Sequence, residues 1–208
     1  MLERIRSLLG IPLLRLLPVR VARRFARQQD GAAAIEFALV AVPFLALTFA
    51  IIETALVFYA GQVLETAATD TGRMIMTGQG ANWSVGDFQK QLCGGQNSPS
   101  DQNPAPPTAI NALFDCQKIG ISVQTYSSFA NAATGDSASP PVSGGNIDQT
   151  NMPFAPGGPN CIIAVQLYYQ WPIYVSLLGD HLGNFGSDRL LVATSVFRNE
   201  PYGPSACS

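Results

Sequence analysis

The chain has 208 residues, of which only 12% are charged, about half the share found in a typical soluble domain. Residues 1–30 hold seven arginines against two acidic residues, a formal charge of +5, whereas residues 31–208 hold five basic and twelve acidic residues, a charge of −7. A basic arm next to an apolar run is typical of a cytoplasmic anchor on anionic lipid, which disfavours a nucleic-acid-binding arm, so no nucleic acid partner is expected.

Residues 1–31 are therefore predicted to form a basic cytoplasmic leader. Arginines alternate with apolar clusters, and Pro12 and Pro18 interrupt any single helix. Short amphipathic pieces lying on the inner membrane surface are one interpretation. A disordered, removable leader is the alternative.

Residues 32–78 are predicted to form a transmembrane helix and its outer extension. From Phe37 to Ala60 there are 24 residues with Glu53 as the only charge, and at about 1.5 Å per residue they span roughly 36 Å. Apolar residues keep a helical spacing to Met76, after which glycines are expected to stop the helix. A cleaved secretory signal is the competing interpretation, but its apolar core is shorter, and no convincing small-x-small cleavage site follows this one.

Glu36 is a carboxylate placed just inside the apolar helix, where burial in lipid is costly without a partner. If the chain is cut after Gly31, the new α-ammonium group of Ala32 on a neighbouring subunit is a fitting counter-ion. Glu36 would then serve assembly between subunits. The alternative is a glutamate that extends to the headgroup level.

Two further residues of this helix are candidates for assembly. Glu53 lies 17 residues after Glu36, about 25 Å along the axis, and is interpreted either as a boundary charge at the outer interface or as a functional group. Pro43 has no N–H to donate to the Leu39 carbonyl and is expected to bend the helix. Such a bend could serve packing between helices or extraction of the helix from the membrane.

Residues 79–208 are predicted to form an extracytoplasmic domain with long loops. Ser84 is expected to cap a short helix through Leu92, and Thr108 another through Phe114. The remaining segments are predicted from alternation and turn composition: strands at 118–126, 161–171 and 190–198, a loop at 127–160, and an apolar connection at 172–179 that packs on the sheet or dips towards the membrane. The fold class is thus α+β, with the long helix packed on a small antiparallel sheet, because parallel crossovers lack the helices they need.

All four cysteines follow the apolar run, at Cys93, Cys116, Cys161 and Cys207. None forms a CxxC motif and the single histidine is His181, so a metal site is not expected. Two disulfides in an oxidising compartment are predicted instead. Of the three possible connectivities, Cys93–Cys116 with Cys161–Cys207 is favoured because it closes local loops. Four buried thiols in a cytosolic fold are the alternative.

The sequence shows no phosphate-binding loop and no paired carboxylates. Asp180 and His181 are the only acidic residue and histidine that are neighbours, and adjacent residues rarely form a working dyad. The chain is therefore not expected to be an enzyme or to need a cofactor.

Several stretches resemble the TadE-like family of the tight-adherence (Flp, type IVc) pilus apparatus. They are DGAAAIEFALV at 30–40 followed by Pro43 and Glu53, LETAA at 64–68 followed by Gly72, Arg73, Thr77 and Gly78, and VFRNEPY at 196–202.

The resemblance implies a pseudopilin-like, single-pass protein of the bacterial inner membrane with a cytoplasmic N-terminus and a periplasmic C-terminal domain. It implies processing by a prepilin peptidase between Gly31 and Ala32. It also implies that the pilus assembly machinery and other pilins or pseudopilins are partners, and that the protein assembles or initiates a pilus used for surface attachment. An uncleaved, membrane-anchored periplasmic scaffold or binding protein in the same machine is the alternative.

Overall fold

A computed structural model describes residues 30–94, 109–134, 142–175, 183–203 and 207. The chain divides into two compact units, residues 1–49 and 50–208. The helices are α1 (Asp30–Met76), α2 (Val85–Leu92), α3 (Ala109–Leu113), a 3-10 turn (Cys116–Lys118) and α4 (Phe129–Thr134). The strands are β1 (Gly120–Tyr126), β2 (Val142–Ser143), β3 (Asn146–Ile147), β4 (Ile162–Trp171) and β5 (Arg189–Arg198). The predicted leader up to residue 29 and the predicted cap Thr108 lie outside the described residues.

The part of α1 in the first unit exposes apolar side chains on every side. Between Ile35 and Phe49 the large apolar side chains are 49–75% exposed. The helix continues through Pro43 without interruption. By length and composition α1 is able to span a membrane, which agrees with the predicted transmembrane helix.

In the second unit α1 buries a stripe of side chains at intervals of three or four residues, which is the spacing of one helix face. The buried members of this stripe are Glu53, Ala60, Leu64, Ala68, Thr71 and Ile75, and the half-buried Val57 lies between the first two. The apolar ones belong to a single core that also contains the sheet. The helix ends at Met76, where Gly78 has a φ of 83° and donates its N–H to the Ile75 carbonyl at 2.9 Å. The predicted stop is confirmed.

The sheet is three-stranded and antiparallel, in the order β1-β4-β5. Its register pairs Val123 with Val165, and Leu167 with Ala193. These residues point to the face that shares the core with α1. The predicted fold class, a long apolar helix followed by a small antiparallel-sheet domain, is therefore confirmed.

Local caps adjust the predicted boundaries. Ser84 caps α2 as expected, in a reciprocal capping box with Asp87. β1 begins at Gly120 rather than 118, because the Asp115 carboxylate accepts the Gln117 N–H and starts a 3-10 turn. The other two strands match their predicted ranges to within one residue.

The segment 127–160 is not the single loop that its composition predicted. Its described part contains α4, which begins after Ser128, and the β2–β3 hairpin. The hairpin turn is made by Gly144 and Gly145, whose φ angles are 59° and 81°. Two positive φ angles in succession suit the twist of a tight hairpin, and glycine adopts them without strain. The Ser-Gly-Gly-Asn sequence of this turn was the missed signal.

Candidate functional site

The predicted processing joint lies at the start of α1. The helix begins at Asp30, so the bond between Gly31 and Ala32 is in its first turn. Both side-chain positions are exposed, and a Cβ built on Gly31 would meet no atom within 4 Å. Nothing in the described part of the first unit encloses this bond.

Glu36 is also exposed, one and a half turns further along α1. Within the described residues its carboxylate makes no hydrogen bond or ion pair, and Ala32 lies on the same helix, four residues away. Its proposed counter-ion on a neighbouring subunit stays a prediction, as do the assembly role of Pro43 and the cleavage itself.

Glu53 is the most enclosed charged residue of the described chain. Its side chain is 5% exposed, and its two carboxylate oxygens accept hydrogen bonds from consecutive backbone amides. Oε1 accepts the N–H of Tyr174, and Oε2 accepts the N–H of Val175 at 2.8 Å. A carboxylate that accepts two backbone N–H groups forms two charge-assisted bonds, which are among the stronger hydrogen bonds of proteins.

This pairing fixes the segment after β4 to the helix. Residues 172–175 leave the strand at Trp171 and pass beside α1 at the level of Glu53, while the Tyr174 side chain remains 80% exposed. The carboxylate of Glu53 therefore holds a second element in place within the subunit. Its predicted position at the outer membrane interface and its role in assembly stay predictions. The rest of the predicted connection, residues 176–179, lies outside the described residues.

A second set of contacts joins the C-terminal end of α1 to the C-terminal tail of the chain. A Cβ at Gly72 would lie 2.8 Å from Phe197 Cε1, so the absence of a side chain makes room for the phenylalanine ring. A Cβ at Gly78 would lie 2.7 Å from Tyr202 Cγ. The Glu200 N–H donates to the Met76 carbonyl at 2.9 Å. Two stretches that lie more than 120 residues apart in the sequence are thus in contact, with an aromatic ring packed against each glycine.

The buried side chain of Asn199 fixes this tail by hydrogen bonds. It is 2% exposed, and its Nδ2 donates to the carbonyls of Pro156 and Gly158 at 3.1 and 3.0 Å. Tyr202 Oη lies 3.0 Å from the same nitrogen, and partial burial raises the pKa of the Tyr202 hydroxyl. The tail is therefore ordered by side chain to backbone bonds as well as by packing.

Both predicted disulfides are present with the favoured connectivity. Cys93–Cys116 joins the end of α2 to the 3-10 turn, and Cys161–Cys207 joins the start of β4 to the tail. Gln89 Nε2 also donates to the Cys116 carbonyl at 2.6 Å, which closes the same junction. The second disulfide anchors the chain beyond the stretch that contacts Gly72 and Gly78.

The described residues hold no group of three or more His, Cys, Asp and Glu that could bind a metal ion. Asp180 and His181 lie outside the described residues. In the described residues, fixed contacts join α1 to the sheet domain at Glu53, and join the end of α1 to the tail at Gly72 and Gly78.

A comparison with protein families bears on α1. Residues 31–77 match the family model described as TadE-like protein, so the segment that carries Gly31, Glu36, Pro43 and Glu53 is TadE-like, in agreement with the resemblance. The match ends one residue after α1 does. No curated protein and no solved structure matches the chain.

Proposed function

We infer from the TadE-like segment that this chain has a Tad pilus-related function, and we propose the specific role of a pseudopilin-like protein that assembles or initiates a tight-adherence pilus. The observation that carries the proposal is the coincidence of the matched residues 31–77 with one helix that is able to span a membrane. Its first half exposes apolar side chains on all sides and so is free to pack on lipid and on other helices.

The proposed orientation places the arginine-rich residues 1–30 in the cytoplasm and the sheet domain in the periplasm. The charge of +5 before α1 supports this orientation, since basic residues flank the cytoplasmic side of membrane helices. Two disulfides after α1 support an oxidising compartment for the sheet domain. The proposed membrane is the bacterial inner membrane.

The proposed action is helix–helix assembly, not catalysis. After cleavage by a prepilin peptidase between Gly31 and Ala32, the Ala32 α-ammonium of one subunit would pair with Glu36 of the next. The exposure of Glu36 supports a partner outside the subunit. Pro43 and the apolar surface around it would then face other pilins or pseudopilins.

Processing is tested by expressing the full chain with and without its prepilin peptidase and measuring the intact mass and the N-terminal residue. Loss of residues 1–31, leaving Ala32 first, supports the pseudopilin. A chain that begins at Met1 in both cultures contradicts it.

The role of Glu36 is tested separately in a strain that depends on this chain for its pili. Glu36→Ala is expected to reach the membrane fraction at the wild-type level and to lose pili and surface attachment. Glu65→Ala, a change of an exposed glutamate on the same helix, is the matched control and is expected to keep both. Normal piliation with Glu36→Ala would contradict the proposed pairing of Glu36 with the Ala32 α-ammonium.

A second candidate function is an uncleaved scaffold or binding protein in the same apparatus, and a groove of about 830 Å³ beside α1 favours it. Its lining mixes apolar side chains, such as Val63, Met74 and Ile110, with polar and charged ones, such as Asp70 and Arg73. A groove of this kind along a helix suits a peptide or helix from another protein. The unprocessed chain in the mass measurement is the result that would favour this candidate.

A further inference from the structure

The end of the second unit that carries Glu53 also carries three exposed aromatic side chains. Phe58 and Tyr59 of α1 are 72% and 56% exposed, and Tyr174 is 80% exposed. We call these three residues the aromatic rim. No function proposed above uses them as a group.

Glu53 sets the height of the aromatic rim along α1. Because its carboxylate accepts the Tyr174 N–H, the backbone of Tyr174 lies beside helix residue 53. Phe58 and Tyr59 follow five and six residues later, about 8–9 Å further along the axis. Two elements that are far apart in sequence therefore present aromatic rings within a short interval of the same helix.

The exposed side chains change type across this interval. Just before the aromatic rim, Ile51 and Ile52 are exposed aliphatic residues at 61% and 49%. The carboxylate of α1 nearest the aromatic rim is that of Glu53, and it accepts hydrogen bonds from two backbone amides instead of facing outward. The next charged residue of α1 is Glu65. A sequence of aliphatic, aromatic and then charged surface is the order met on crossing from bilayer core to water.

We propose that the aromatic rim binds the lipid headgroup and acyl-chain boundary, with residues 172–175 lying on the membrane surface where α1 leaves it. Glu53 acts as a positioning residue that holds Tyr174 at this depth. The inference rests on the proposed membrane anchoring by α1. Tyrosine suits the site because its ring prefers the apolar side of the boundary and its hydroxyl the hydrated side.

The test uses the full chain in vesicles of phosphatidylethanolamine and phosphatidylglycerol, with one nitroxide-labelled cysteine introduced at a time. Label depth is read from the ratio of accessibility to dissolved oxygen and to a water-soluble nickel chelate. Tyr174→Cys and Tyr59→Cys report the aromatic rim. Leu45→Cys reports the proposed span, and intact mass confirms that both native disulfides remain closed.

Phe129→Cys is the matched aqueous control. Phe129 is an exposed aromatic residue, at 53%, and it follows the end of β1 that pairs with Ile162, at the opposite end of β4 from Trp171. We expect a deep position for the label at Leu45, an intermediate depth for the labels at Tyr174 and Tyr59, and an aqueous position for the label at Phe129.

Three results overturn the inference in distinguishable ways. A label at Tyr174 as aqueous as that at Phe129, with Leu45 deep, refutes the rim and leaves the anchoring intact. An aqueous label at Leu45 refutes the anchoring itself. A label at Tyr174 that is immobile and shielded from both reagents means that a protein, not lipid, covers the rim.

Adding Glu53→Gln to each labelled variant tests the positioning role. The label at Tyr174 is expected to shift towards the aqueous ratio and to gain mobility, while the label at Tyr59 stays unchanged because it is on α1 itself. An unchanged depth and mobility at Tyr174 would show that Glu53 does not set its position.

Discussion

Replacing Glu53 by glutamine removes one of the two oxygens that accept consecutive backbone N–H groups. In the structure each carboxylate oxygen serves one amide, that of Tyr174 or that of Val175. The glutamine side chain keeps one oxygen and presents an NH₂ group in place of the other. One backbone donor then faces another donor inside a site that is 5% exposed.

The cost follows from these two bonds. A buried donor left without an acceptor costs about 1–3 kcal/mol, and the surviving bond loses its charge assistance, which is worth about 1 kcal/mol. The sum is about 2–4 kcal/mol. For a protein of this size, about 2–4 °C per kcal/mol corresponds to a fall in Tm of about 4–16 °C.

Hydrogen exchange of the two amides is the most direct assay. If the segment opens locally, 2–4 kcal/mol corresponds to exchange that is about 30-fold to 1000-fold faster at Tyr174 and Val175. Glu65→Gln is the control, since Glu65 lies on the same helix, is exposed, and among the described residues its carboxylate accepts only from Gln62. It is expected to leave both the exchange rates and the Tm near their wild-type values.

The reasoning is refuted if Glu53→Gln lowers the Tm no more than Glu65→Gln and leaves the exchange of both amides unchanged. That result would mean that the segment is held by packing alone. A fall in Tm without faster exchange at these amides would also contradict it, because the loss would then lie elsewhere in the fold.

Gly72→Ala is expected to destabilise the protein by about 1–3 kcal/mol relative to Gly61→Ala, as read by thermal unfolding, because a Cβ at Gly72 overlaps a phenylalanine ring whereas one at Gly61 meets nothing within 4 Å. Equal stability of the two variants would show that the ring moves freely. Replacing Cys161 and Cys207 by serine should cost about 3–4 kcal/mol in denaturant titrations, given their separation of 46 residues, and a cost near zero would contradict the tethering role. Hydrogen bonds from Ser84 hold the pKa of Asp87 below its usual value of 3.8, so its stabilising effect is present above that pH and is lost as the pH falls through the lowered pKa. Asp87→Asn should remove this part of the pH dependence of the free energy of unfolding, which is measured between neutral and acidic pH. A pH profile identical to that of the wild type would contradict this prediction.

Elements with a strong local pattern were predictable from the sequence. The length of α1 followed from the apolar run at 37–60 and the helical spacing of apolar residues up to Met76, and its stop from Gly78, whose positive φ few other residues adopt. β4 and β5 followed from dense runs of apolar and β-branched residues. The disulfide pairing followed from loop closure, since cysteines near in sequence meet at a smaller cost in chain entropy.

The short elements of the segment 127–160 were not predictable with the same rules. α4 has six residues and β2 and β3 have two each, so none has enough turns or alternations to show a period. The local signals were the Gly144–Gly145 turn and Ser128, whose hydroxyl accepts the Asn131 N–H at the start of α4. Their formation depends on the sheet: β3 and α4 both contact β4, which gives them a surface to cover.

By itself, the sequence determined the apolar helix, the charge asymmetry around it, the antiparallel strands and the TadE-like character of residues 31–77, because each of these is written in neighbouring residues. Only the tertiary structure decided what Glu53 does and why Gly72 is a glycine. Their partners, the amides of Tyr174 and Val175 and the ring of Phe197, are more than 120 residues away. Every residue type except proline carries a backbone N–H, so the sequence does not show which amides bind Glu53. The presence of a phenylalanine likewise does not show which glycine its ring will contact. Such contacts exist only once the sheet has placed both ends of the chain against one helix.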